Sequence, residues 1–127
     1  MRAYVPMSIG QLSNFCENAG ATVSTVCLPT PSLAGEYGVS ELEDLEYGAL
    51  EVCRSLAEVA DDPVIVALEL EAQTIEAGAE KNPGVFMGDF NIAFADVVAF
   101  YVITDDDEEL EWYDASESAL CLAKVAG

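Results

Sequence analysis

Two long apolar runs constrain the fold of this chain most strongly. The sequence VIVALEL spans residues 64–70, and VVAFYVIT spans residues 97–104. A continuous apolar run of this length is typical of a central β-strand that is covered on both faces. Both runs are far too short to cross a lipid bilayer as a helix. The sequence therefore predicts two buried strands at the centre of a sheet.

Weaker signals predict three further strands. Residues 2–5 form the first, which Pro6 is expected to end, and residues 22–28 and 85–90 form the others. Only six residues separate the last of these from the run at 97–104, which is too few for a crossover helix. These two strands are therefore expected to be antiparallel neighbours.

Helices are predicted between the strands and at the C terminus. Ser8 with Gln11, and Ser40 with Glu43, have the spacing of a capping box, and each pair precedes apolar residues at helical spacing. Residues 109–113 fit a strand and a helix equally, and an apolar helical tail follows.

These elements together predict one α+β domain spanning residues 1–127. Its sheet is expected to be mixed and five-stranded, with helices packed mainly on one face. A ferredoxin-like arrangement is one topology compatible with this order of elements.

The charge of the chain limits its partners. Asp and Glu number 24, Lys and Arg number 4, and the formal net charge is −20. Such a field repels nucleic acid and anionic membranes, whereas it attracts a basic protein. The alternative is that the acidity serves only solubility or adaptation to salt.

The inventory of reactive residues argues against catalysis. The chain has no histidine, so a Cys/His zinc site and a Cys–His catalytic pair are excluded. The four cysteines are widely spaced without a C-x-x-C pair, which favours free, buried thiols in a reducing compartment. Only a carboxylate-based enzyme stays open, built for example on Asp89, Asp96 and Asp105 near strand ends. We predict no enzyme activity, no cofactor and no metal site.

One helical face is the first candidate for a partner site. Glu43, Tyr47 and Glu51 lie four residues apart, and Glu58 continues the same face. An exposed aromatic ring between carboxylates is typical of a contact site for a basic partner. The alternative is that Tyr47 covers the edge of the core.

A run of five acids is the second candidate. It consists of Asp105, Asp106, Asp107, Glu108 and Glu109, and it lacks the spacing of an EF-hand. The alternative is a solvated turn at the start of a helix.

Three segments carry a family resemblance. They are MRAYVP at the N terminus, ELEDLEYGALEVCRSLAEVADDP running into VIVALEL, and DDDEELEWYDASE near the C terminus. In this order they resemble an uncharacterised family of short acidic actinobacterial proteins. The chain departs from that family's pattern because it lacks the arginines and the alanine run between the second helix and the next strand. The resemblance implies a bacterial, cytosolic, single-domain protein and carries no catalytic residue over.

These observations predict a non-enzymatic acidic protein that binds a basic protein partner. A DNA-mimic inhibitor of a nucleic-acid-binding enzyme, of phage origin, is the alternative, and a carboxylate–metal enzyme is the second. The N terminus has one basic residue and no long apolar stretch, so we expect a cytoplasmic protein without a signal peptide, membrane contact or direct contact with nucleic acid. The sequence does not predict an oligomeric state.

Overall fold

A computed structural model describes residues 1–31, 33, 35, 41–70, 80–104 and 110–126. The strands are β1 (Arg2–Met7), β2 (Gly20–Cys27), β3 (Val64–Glu69), β4 (Glu80–Asn82), β5 (Val85–Ala93), β6 (Val97–Ile103) and β7 (Leu110–Asp114). The helices are α1 (Ile9–Asn18), α2 (Leu42–Ala60) and α3 (Ser118–Ala126), with short 3-10 turns at Phe94–Asp96 and Ala115–Glu117. None of the helices in these ranges combines the length and hydrophobicity needed to span a membrane.

The described strands form one sheet in the order β4-β5-β2-β1-β3-β6-β7, and every neighbouring pair is antiparallel. The predicted α+β class is confirmed, but the mixed five-stranded sheet is wrong because seven strands are present and none of these pairs is parallel. β4 has the sequence EKN, which carries no apolar signal, and β7 is the segment that fitted a strand and a helix equally. A ferredoxin-like topology is not shown.

Pro6 lies inside β1 instead of ending it. The strand pairs with β3 along its whole length, from Arg2 opposite Glu69 to Met7 opposite Val64. On its other side, β1 is paired with β2 only where Tyr4 lies opposite Cys27. A proline has no N–H to donate, and it is tolerated here because β2 has already separated from β1 at this point.

The two strands predicted to be antiparallel neighbours are not adjacent. β2, β1 and β3 lie between β5 and β6, although only the turn Phe94–Asp96 connects those two strands. In a flat sheet, β5 and β6 would be four strand spacings apart, which is roughly 19 Å. The chain from the last residue of β5 to the first residue of β6 covers four residue steps and spans at most about 14 Å. The sheet must therefore be strongly coiled, and the Phe94 ring packs inside the bend, 5.6 Å from the Phe15 ring and 6.3 Å from that of Phe100.

Helices cover both faces of the sheet. α1 and α3 pack together on one face, and α2 packs on the opposite face against β1, β2 and β3. β3 and β6 are both interior strands with a neighbour on each side, as their apolar sequences predict, and β1 is the middle strand. Continuous apolar strands need cover on both faces, which explains why the helices are not confined to one.

The caps of the first two helices differ. At α1 the predicted capping box is confirmed, since the Gln11 N–H donates to Ser8 Oγ at 3.1 Å and the Ser8 N–H donates to Gln11 Oε1 at 2.8 Å. At α2 the N-cap is Glu41, which makes no side-chain hydrogen bond, whereas the sequence predicts a box of Ser40 and Glu43. Ser40 itself lies outside the described residues.

Candidate functional site

Helix α2 carries the first predicted partner surface, and small side chains hold it against the sheet. Ala49, Cys53 and Ala57 lie on one stripe and are fully buried. Side chains of this size allow the helix backbone to approach the strands closely. The opposite side of the helix is therefore presented on a rigid, well-packed element.

The predicted residues of α2 share that opposite side. Glu43 and Glu58 are exposed, Glu51 is half-buried, and Tyr47 is 65% exposed. The alternative in which Tyr47 covers the edge of the core is inconsistent with this exposure. We call the set Glu43, Tyr47, Glu51 and Glu58 the α2 acidic face.

One cation lies within the α2 acidic face. The Arg54 Nε donates to Glu58 Oε1 at 3.2 Å, and its side chain is only 12% exposed while that of Glu58 is 52% exposed. The guanidinium thus lies against the protein surface and the carboxylate extends into water. The face presents aromatic and acidic groups together with a partly covered positive charge.

The second predicted site lies outside the described residues. Asp105, Asp106, Asp107, Glu108 and Glu109 connect β6 to β7, and the structure describes only the residues on either side of them. At the end of β6, the Ile103 N–H donates to the Pro63 carbonyl at 2.9 Å, just beyond the C-terminal end of α2. This bond holds the described end of β6 next to the residue that follows the C-terminal end of α2.

A cleft beside α2 was not predicted from the sequence. β1 and β2 are paired only where Tyr4 lies opposite Cys27, and an opening of about 380 Å³ is lined by residues from both strands. We call it the β1–β2 cleft. Its lining includes Pro6 from β1, Leu56 and Val59 from the last turns of α2, Asp62 just after that helix, and Met87 from β5. The proline within a strand-like sequence was the one signal that could have predicted it.

The outer strand β7 adds an exposed aromatic residue, Trp112, on the same face of the sheet as α2. Trp112 lies opposite Tyr101 across the β6–β7 pair, and it is largely exposed. Tyr101 and Leu110 pack only at the margin of the core under α2.

The four cysteines are free and come together as two pairs, one on each face of the sheet. Burial, followed by a hydrogen bond with Cys27, raises the pKa of the Cys53 thiol well above its ordinary value. Burial, followed by the proximity of Cys16, raises the pKa of Cys121 to about 11. Thiols in this state are protonated at neutral pH and are poor nucleophiles.

The carboxylates considered for catalysis are dispersed. Asp89 on β5 and Asp96 in the following turn are both exposed, and Asp105 lies outside the described residues. Within the described ranges, no group of three or more Asp, Glu, Cys or His side chains is close enough to hold a metal ion.

Comparison with known proteins places the chain in a family. Neither a curated protein nor a solved structure matches it. The profile of a family of unknown function, DUF6912, matches residues 1–109, which include every described element from β1 to β6. β7 and α3 lie beyond the matched segment. Because the match covers most of the chain, the protein belongs to the family of unknown function DUF6912.

Proposed function

We propose that this protein is a non-enzymatic interaction module that binds a basic protein partner through the α2 acidic face. The observation that carries the proposal is the exposed ring of Tyr47, with Glu43 one turn before it and Glu51 one turn after it. Large exposed aromatic side chains on rigid elements are the usual anchors of protein interfaces.

The chemistry of the face suits lysine and arginine. A guanidinium or ammonium stacked on the Tyr47 ring gains a cation–π contact and can reach the carboxylate of Glu43 or Glu51 on either side. The net charge of −20 raises the rate of encounter with a basic partner over a distance set by the salt concentration.

The packing of α2 also favours binding. Ala49, Cys53 and Ala57 fix the helix on the sheet, so little conformational entropy is lost when a partner binds the opposite side. The four free cysteines support a reducing compartment, and we propose that the protein acts in the cytoplasm.

A basic protein partner is a better fit than imitation of DNA. A DNA mimic needs rows of uninterrupted negative charge at phosphate-like spacing, and here Arg54 forms an ion pair with Glu58 inside the row. The prominent ring of Tyr47 has no counterpart in a phosphate backbone. The proposal is therefore an ordinary interface with an aromatic anchor and an acidic rim.

A titration with a fluorescent arginine-rich peptide tests this proposal. Replacing Tyr47 by alanine should weaken binding about tenfold, the effect of losing an interface anchor worth about 1.4 kcal/mol. Glu51→Gln should weaken it several-fold. Fluorescence anisotropy at low and physiological salt gives the dissociation constants.

Glu17→Gln is the matched control. Glu17 is exposed on α1, on the other face of the sheet, and the substitution removes the same single charge. We expect its effect on affinity to be much smaller than that of Glu51→Gln. Equal losses for the two variants would mean that the peptide responds to net charge alone, and the proposed site would be wrong.

A further inference from the structure

The β1–β2 cleft combines apolar walls with two unusually exposed apolar side chains. Val59, on the last turn of α2, is 90% exposed, and Met87, on β5, is 48% exposed. Both line the cleft, together with Pro6 and Leu56. Apolar groups that border one concavity from a helix and from a strand are typical of a ligand site.

The cleft is large enough for a small molecule. Its volume of about 380 Å³ lies within the range of small-ligand sites. A second cavity of about 340 Å³ shares Leu56, Asn82 and Val85 with it and is walled further by Leu33 and Pro83. The two cavities therefore adjoin along the flank of α2, and Leu56 and Val85 give them a shared apolar wall.

Asp62 supplies the charge of the cleft. Desolvation by burial, followed by the charge of Asp61, raises the pKa of its carboxyl, which is thus partly shielded from water. Among the described residues, no donor is paired with this carboxylate. The same charge contributes to the raised pKa of the buried Cys53 thiol, after burial and Cys27.

Among the described residues, no lysine or arginine lines the cleft. The other polar side chains that these residues contribute to its wall, from Gln11, Ser24, Thr25 and Asn82, are neutral. An anionic ligand would meet the carboxylate without a compensating cation, and a neutral apolar ligand would bury the carboxylate further without pairing it. A cationic group is the ligand chemistry that satisfies Asp62.

We propose that the β1–β2 cleft binds a small organic cation with an apolar body, of the alkylamine class, whose ammonium group lies at Asp62 and whose apolar body lies between Val59 and Met87. This site is separate from the α2 acidic face and does not depend on it. Val59 and Tyr47 lie on the same helix but border different surfaces, since Val59 lines the cleft and Tyr47 does not.

Calorimetric titration with three probes of one chain length tests the charge requirement. Hexylamine should bind saturably, hexanol should bind at least about tenfold more weakly because it lacks the charge-assisted hydrogen bond, and hexanoate should not bind. Equal binding of hexylamine and hexanol, or no saturable binding of hexylamine, would overturn the proposal.

Two neighbouring aspartates give a matched pair of variants. Asp62→Asn should weaken hexylamine binding about tenfold, whereas Asp61→Asn removes the same charge outside the cleft and should change it less than about twofold. Asp61 has a positive φ of 60°, a conformation that asparagine also adopts, so this control should fold normally. Equal losses for the two variants would show a general charge effect and overturn the assignment of Asp62.

Val59→Ser tests the apolar wall independently. The side chain is exposed, so we expect the melting temperature to stay nearly constant while hexylamine affinity falls several-fold. Unchanged affinity would contradict the proposed position of the apolar body. Tyr47→Ala should leave hexylamine binding intact, so failure of this site and failure of the α2 acidic face are distinguishable.

Discussion

The two faces of the sheet are built from side chains of different size. The core between the sheet and the helices α1 and α3 contains large residues such as Leu12 and Phe15 of α1 and Phe100 of β6, and two helices cover this face. The core between the sheet and α2 contains small residues such as Ala57 of α2 and Ala99 of β6, and a single helix covers part of that face. Small residues bring α2 close to the strands, but they leave the β1–β2 cleft on one flank and the Trp112 region on the other incompletely covered. The first face is a core covered by two helices, and the second carries the two surfaces for which we propose a partner and a ligand.

The largest expected effect on stability comes from removing a large side chain from the first face. Phe100→Ala should lower the free energy of unfolding by about 3–5 kcal/mol, because the ring is fully buried and packs against Phe94. Tyr47→Ala on the second face should change it by less than about 0.5 kcal/mol, since that ring is exposed. Urea denaturation of both variants measures the two values. A large loss for Tyr47→Ala would show that Tyr47 is structural and would remove the contrast between the faces.

A medium effect on stability is expected from enlarging a small residue on the buried side of α2. Ala57→Leu should destabilise the protein by about 1–3 kcal/mol, because Ala57 is fully buried between α2 and the sheet. Ala123→Leu is the matched control, since Ala123 is exposed on α3. The measurement is again urea denaturation. If Ala57→Leu were as harmless as its control, the close approach of α2 to the sheet would not be needed for stability.

The smallest effect concerns pH and salt. Folding raises the pKa of the Asp62 carboxyl, so its contribution to stability is present at low pH and is lost as the pH rises through the folded-state pKa. Repulsion among the 24 acids also favours unfolding at neutral pH, and salt screens it. We therefore expect the melting temperature to be a few degrees higher at a pH of about 5.5 than at about 8, and higher in molar KCl than in dilute buffer.

Further acidification should reverse this gain. The hydrogen bond from Arg2 lowers the pKa of Glu69, and those from Ser116 lower the pKa of Asp114. Stability from such groups is present above their unfolded pKa values and is lost as the pH falls through the folded ones. Differential scanning fluorimetry across the acid range should thus show a maximum at mildly acidic pH. A melting temperature indifferent to both pH and salt would contradict a concentrated acidic surface.

The sequence predicted the buried elements better than the edges. The runs at 64–70 and 97–104 are strands because continuous apolar residues leave no alternative to burial on two faces, and the Ser8 cap follows from local hydrogen bonding. The neighbour relations were not predictable locally, since the coil of the sheet that lets Phe94 bridge β5 and β6 depends on packing between distant segments. Likewise, the exposure of Tyr47 follows from helical spacing, whereas the cleft requires β1 and β2 to separate, which only the tertiary structure reveals.

A titration of the isotope-labelled protein with the arginine-rich peptide, followed by two-dimensional amide NMR, tests the central claim most directly. If the face carrying α2 is the binding surface, shift changes should concentrate at Glu43, Tyr47, Glu51 and Glu58, while the amides of α1 and α3 on the opposite face stay nearly constant. Shift changes spread evenly over both faces, or centred on α1 and α3, would contradict the account.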